Sequence, residues 1–185
     1  MQAADGCGKY GEDKKDTENN NISEKTEKAR MGKIKEREDT GGIERIGKVS
    51  LDLTHYPGED LYCDGAVEDE LLRIARDYAE VEYPGIIEDG RNWELLYHLS
   101  AQRENIVEWL PIDKSMKVLE VGAGCGAITG ALAEKAGSVT CVDLSKKRSM
   151  INAYRHTNCE NVTIHVGNFQ DIEPELPCDY DYICL

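Results

Sequence analysis

The chain has 185 residues, 40% of them hydrophobic and 31% charged, with a net charge of −14. That length has room for one ordinary domain with appendages, and the two fractions together imply a folded part diluted by a solvated one. No apolar run approaches the ~20 residues that span a bilayer and no apolar leader opens the chain, so a cytoplasmic protein with no membrane partner is expected.

The charge is unevenly spread. Residues 1–50 hold 11 acidic and 11 basic side chains, while residues 51–185 hold 25 acidic and 11 basic and so carry the whole −14. Such a surface repels phosphate backbones, which argues against nucleic acid as a partner. The seven cysteines are odd in number and include no Cys-x-x-Cys pair. They are expected to be reduced and structural, with neither a disulfide framework nor a metal site.

Residues 1–46 read as a disordered tail, because a stretch rich in Lys, Glu, Asp and Asn cannot bury enough surface to offset its ordering entropy. Opposite charges one turn apart around Glu24–Glu38 suit a transient helix, and Gly41–Gly42 reads as a hinge. Residues 47–112 form an arm and a helical lead-in. Val49, Leu51 and Leu53 alternate as a short strand does, followed by a Pro57–Gly58 turn. His55, Asp60, Cys63 and Asp64 lie close together but match no common ligand spacing. Val67, Leu71, Ile74, Ala75 and Tyr78 make one helical stripe, which Pro84–Gly85 interrupts. A second helical stretch, about Asn92 to Leu110, places Trp93, Leu96, Leu99, Ile106, Trp109 and Leu110 as its apolar positions, with Ser100 dividing it as a cap.

Residues 113–185 alternate between strands and helices. Lys117–Val121 reads as a strand, followed by a glycine cluster, an apolar helix to Ala136 and a C-cap glycine at Gly137. Ser138–Leu144 is a second strand, and Ser145 caps a helix carrying Met150, Ile151 and Tyr154. Asn161–Val166 is a third strand and Tyr180–Leu185 opens a fourth. The alternation predicts an α/β, Rossmann-like, doubly wound parallel sheet.

The informative segment is Glu120-Val-Gly122-Ala123-Gly124-Cys-Gly126, at the exit of the first of these strands. Gly122 and Gly124 permit a tight turn and clear side chains from a ligand's path, and Gly126 lets the backbone run close to the following helix. The segment also satisfies Gly-x-Gly-x-x-Ala through Gly122, Gly124 and Ala127, so an NAD(P)-dependent oxidoreductase is the competing reading. Against it, the third glycine comes early, and Glu120 sits where a pyrophosphate would be repelled but a cationic ligand attracted. Asp143, ending the second strand, suits ribose hydroxyls in either case.

VLEVGAGCGAITGALAE resembles motif I of the class I S-adenosylmethionine-dependent methyltransferases, and VTCVDLS, VGNFQD and CDYDYICL resemble the motifs that follow it in order. The resemblance covers roughly residues 98–185. It implies S-adenosyl-L-methionine as cofactor, with Gly122, Ala123, Gly124 and Gly126 around its methionine part and Glu120 reaching its amino group. It also implies Asp143 on the ribose, Leu144 packed on adenine, Asn168 reading the adenine edge and Phe169 flanking the ring. Tyr97 or Arg103 is a further candidate for the cofactor carboxylate. The upstream YHLSAQRENIVEWLPI resembles the lead-in helix of bacterial methyltransferases found beside glycosyltransferases, which implies a small-molecule or glycan-related acceptor. His156 and His165 read as structural, and Lys146, Lys147 and Arg148 as solvated. Four strands are fewer than the family's usual seven, so the chain is expected to be truncated after the fourth strand, and the catalytic residue stays unknown. A non-catalytic fragment is the remaining alternative.

Overall fold

A computed structural model describes residues 41–60 and 65–185. The tail before Gly41, including the helix expected around Glu24–Glu38, and both Cys7 and Cys63 lie outside the described residues.

A six-stranded sheet runs in the order β1-β2-β5-β4-β3-β6. Its strands are β1 (Ile43–Ile46), β2 (Val49–Asp52), β3 (Lys117–Val121), β4 (Ser138–Asp143), β5 (Val162–Val166) and β6 (Tyr182–Cys184). All neighbouring pairs are parallel except β1 with β2. The helices are α1 (Ala66–Asp77), α2 (Tyr83–Gly90), α3 (Trp93–Leu99), α4 (Asn105–Glu108), α5 (Thr129–Lys135), α6 (Lys146–Arg155) and α7 (Phe169–Ile172). The α/β class is as expected, but two strands come from the N-terminal segment.

Ile43–Ile46 was expected to close the disordered tail and is instead the strand β1. It is held by a tight hairpin in which Ile46 faces Val49 across Gly47 and Lys48. Gly47 has φ +60°, and a Cβ there would lie 2.4 Å from the Thr157 carbonyl oxygen, so only glycine fits. The Lys48 amide donates to that same oxygen at 2.7 Å. β2 then pairs with β5, Leu51 opposite Ile164.

Val118 and Cys141 bury on one face of the sheet, with Val139, Ile164, Leu132 and Ala153. Leu119 and Val142, one residue out of phase, bury on the other with Ile172. Both faces are therefore covered, as a parallel sheet requires. The stripe of α1 places Leu71 and Ile74 at 0% exposure beside Ile151 of α6, each contributing roughly 2 kcal/mol by burial. Tyr78 falls outside this stripe, at the C-cap and 40% exposed.

Three local expectations are corrected. Pro84–Gly85 opens α2 instead of breaking a helix, since proline at the first helical turn forfeits no hydrogen bond. Gly137 is no left-handed C-cap, because Ala136 ends α5 in an extended conformation. Gly137 is needed because a Cβ would lie 2.3 Å from the Lys114 carbonyl oxygen. The carbonyls of Ala133 and Ala136 are taken by Lys114 Nζ at 3.1 and 3.2 Å and by Asn161 Nδ2 at 2.9 and 3.1 Å. In the second helical stretch Leu99 is buried, with Leu95 and Val107, but Trp93, Ile106 and Trp109 are 69%, 59% and 74% exposed.

Candidate cofactor site

The carboxyl ends of β3, β4 and β5 meet at two adjoining cavities, of about 200 and 260 Å³, that share Val121, Gly122 and Arg148. The first is bounded by Glu120, Ala123, Gly124, Tyr97 and Arg103. The second is bounded by Asp143, Leu144, Asn168 and Phe169.

Gly122 stands between them at φ +73°, and a Cβ placed there would meet nothing within 4 Å. The absent side chain leaves space that a ligand can use. The turn is fixed from beneath, because the amides of Gly122 and Ala123 both donate to the Val142 carbonyl, at 2.8 and 3.2 Å. Gly126 plays a different part from the one the motif implies. It borders neither cavity, and a Cβ there would lie 2.4 Å from Asn152 Oδ1. Its missing side chain makes room for α6.

Glu120 is 3% exposed. Thr129 Oγ1 donates to its Oε2 at 2.7 Å and Cys141 Sγ at 3.4 Å, while Asn152 Nδ2 donates to Thr129 Oγ1 at 3.0 Å. Burial pushes the Glu120 carboxyl up to about 7, against the lowering by these hydrogen bonds. Beyond Asn152, its Oδ1 meets His156 Nδ1 at 2.8 Å. His156 is buried, and burial with the Arg155 charge holds it down at about 4. His156 is structural, as read from the sequence.

Asp143 is engaged at both oxygens, by the Gly124 amide at 2.8 Å and the Ser145 amide at 2.9 Å. It clamps the glycine turn to the head of α6 while still facing the second cavity. Asn168 caps α7, its Oδ1 accepting from the Gln170 amide at 3.0 Å. Leu144 is 45% exposed on the same cavity.

Sequence reasoning missed two residues. Arg148, read as solvated, has a side chain only 17% exposed, with its Nε 2.6 Å from Oε1 of Glu68, whose side chain is 1% exposed. The signal was available, since an arginine in the first turn of a helix opposes the dipole and needs a carboxylate partner. Asp60 was weighed only as a metal ligand. It caps α6, accepting from the Lys146 amide at 2.6 Å and the Lys147 amide at 3.1 Å. Lys147 is also paired, its Nζ 2.8 Å from Asp69. Among the described residues no group of three or more His, Cys, Asp or Glu side chains could hold a metal ion, and no helix is long and apolar enough to cross a membrane.

The family model described as a methyltransferase domain matches residues 118–185. Residues 118–185 are thus similar to a methyltransferase domain. The residues present fit the S-adenosylmethionine that the sequence resemblance implies: an open glycine turn, a buried carboxylate on one side and an aspartate at the strand end on the other. Among curated relatives, a ribosomal RNA small subunit methyltransferase A of Streptococcus pneumoniae is 31% identical over 86 residues, 40% of this chain and 29% of the relative. The chain thus spans less than a third of that relative's length. Among solved structures, one described as a precorrin 8W decarboxylase of Methanobacterium thermoautotrophicum is 22% identical with a TM-score of 0.41, covering 44% of this chain and 45% of that one. Phosphoethanolamine N-methyltransferase 1 of Haemonchus contortus is 19% identical with a TM-score of 0.37, covering 58% of this chain and 22% of that one.

Proposed function

We propose that the chain binds S-adenosylmethionine across the two cavities and serves methyl transfer to a small-molecule acceptor. The observation that carries this reading is the turn at Gly122, open and left-handed, between a cavity bounded by Glu120 and one bounded by Asp143. The assignment of parts follows from charge and shape. The cavity beside Glu120 receives the methionine part, whose ammonium that carboxylate complements when ionised. The cavity beside Asp143, Leu144 and Phe169 receives the nucleoside, with the adenine against apolar side chains and the ribose hydroxyls on the remaining lone pairs of Asp143. Asn168 Nδ2 stays oriented toward the adenine edge because its Oδ1 is committed to the cap.

The bound cofactor supplies a methyl group on a sulfonium; an acceptor lone pair forms the new bond, the electron pair of the broken C–S bond stays on sulfur, and an acceptor proton leaves to solvent. The chain's part is to hold the two in line. The curated relatives are named for ribosomal RNA, whereas the net charge of −14 over residues 51–185 disfavours a polyanion here. Calorimetry with S-adenosylhomocysteine and with NADH tests the reading. Binding of the first that Asp143→Ala weakens supports it, and preference for NADH overturns it.

A further inference from the structure

Three side chains, two exposed aromatics and a half-buried arginine, lead outward from the cavity beside Glu120. Tyr97 lines that cavity and is 46% exposed. Trp93, one helical turn earlier on α3, is 69% exposed with its ring centroid 6.3 Å from that of Tyr97. The Arg103 guanidinium, which also lines the cavity, lies 4.5 Å over the Tyr97 ring. The chain bends at Ser100, which caps the next turn through the Gln102 amide at 3.2 Å, and this brings Arg103 back over Tyr97. The His98 ring stands perpendicular to that of Tyr97, with centroids 5.0 Å apart and planes at 88°.

Leaving large aromatic faces in water forfeits the burial that usually fixes them, so a contiguous set continuous with a ligand cavity marks a binding surface. Stacked rings and a guanidinium plane favour a flat, unsaturated partner. The surrounding charge narrows the class. Residues 77–108 hold eight carboxylates and two arginines, which disfavours a polyanion and tolerates a neutral or cationic molecule.

Resting on the cofactor reading above, we propose that Trp93, Tyr97 and Arg103 form the acceptor platform, and that the acceptor is a planar heteroaromatic small molecule, neutral or cationic. A nucleic acid strand would bring stacking bases as well, but each with a phosphate toward the acidic rim.

Trp93 and Trp109 are the only tryptophans, so the full chain carrying Trp109→Phe reports on Trp93 by fluorescence. With S-adenosylhomocysteine present, quinoline is titrated against a neutral saturated analogue of the same size, decahydro-2-naphthol, and a single-stranded oligoribonucleotide. The platform predicts saturable quenching by quinoline, at least about fivefold weaker binding of the saturated analogue, and a similar loss in Tyr97→Ala and Arg103→Ala. Equal binding of the two ring systems, no saturable quenching, or tighter binding of the oligoribonucleotide each overturns the platform while leaving the cofactor reading intact. Quinoline binding in a chain that calorimetry shows cannot hold S-adenosylhomocysteine overturns its role as acceptor site.

Discussion

Thr129 Oγ1 donates to Glu120 Oε2 at 2.7 Å inside the protein, and Asn152 Nδ2 in turn donates to that hydroxyl at 3.0 Å. The carboxylate at the cofactor cavity is thereby anchored to α5 and, through it, to α6. Thr129→Val keeps the shape but leaves Glu120 with only the weak Cys141 thiol donor, and Asn152 Nδ2 with no acceptor at that position. A loss of about 1–3 kcal/mol of stability is expected in urea unfolding, the usual consequence of orphaned buried polar groups. An unchanged midpoint and slope would show that the network contributes nothing.

Glu120 also sets a pH dependence. Burial raises its carboxyl from the ordinary 4.5 to about 7, so folding favours the protonated form. Its contribution is unpenalised below 4.5 and turns unfavourable as pH rises toward about 7, where the penalty is complete. The melting temperature of the unliganded chain should therefore fall over that window, and that of Glu120→Gln should fall less. Parallel profiles for the two chains would contradict this.

Cofactor affinity should move the opposite way. A bound ammonium favours the ionised carboxylate, so S-adenosylhomocysteine should bind more tightly at about pH 7.5 than at about pH 6, by up to roughly tenfold. Glu120→Gln should flatten that profile. Calorimetry at both pH values decides it.

The glycines of one motif should separate by what they do. Gly126→Ala puts a Cβ 2.4 Å from Asn152 Oδ1 at φ +76°, which forces α6 or the turn to shift. Gly122→Ala meets no atom, but at φ +73° it strains the backbone by about 1–2 kcal/mol and projects into the ligand space. Thermal unfolding should penalise the Gly126 variant more, and calorimetry with S-adenosylhomocysteine the Gly122 variant.

Arg148→Ala leaves the Glu68 carboxylate, with a side chain 1% exposed, beside an empty space. Removing one partner of a buried pair is expected to destabilise by about 3 kcal/mol. Lys147→Ala, whose partner Asp69 is 70% exposed, should change stability by less than about 1 kcal/mol. Similar losses for the two would mean that the Glu68 pair is screened like a surface one.

The sequence by itself determined the alternation of strands and helices from Lys117 onward, the cap at Ser145 and the open turn at Gly122–Gly124. Each is a local matter of side-chain period, of a hydroxyl three residues from an amide, or of a backbone angle only glycine takes readily. The tertiary structure alone decided which side chains meet across the chain. It recruited Ile43–Ile46 into the sheet, because a strand edge at β2 offered hydrogen bonds that composition cannot reveal. It assigned Gly126 and Gly137 to close packing, against Asn152 and Lys114, 26 and 23 positions away in the chain. It gave Glu120 its partners on α5, β4 and, through Thr129, α6, and left Trp93 in water beside the cavity. Burial and pairing are properties of neighbours in space, and the spacing of residues along the chain does not fix them.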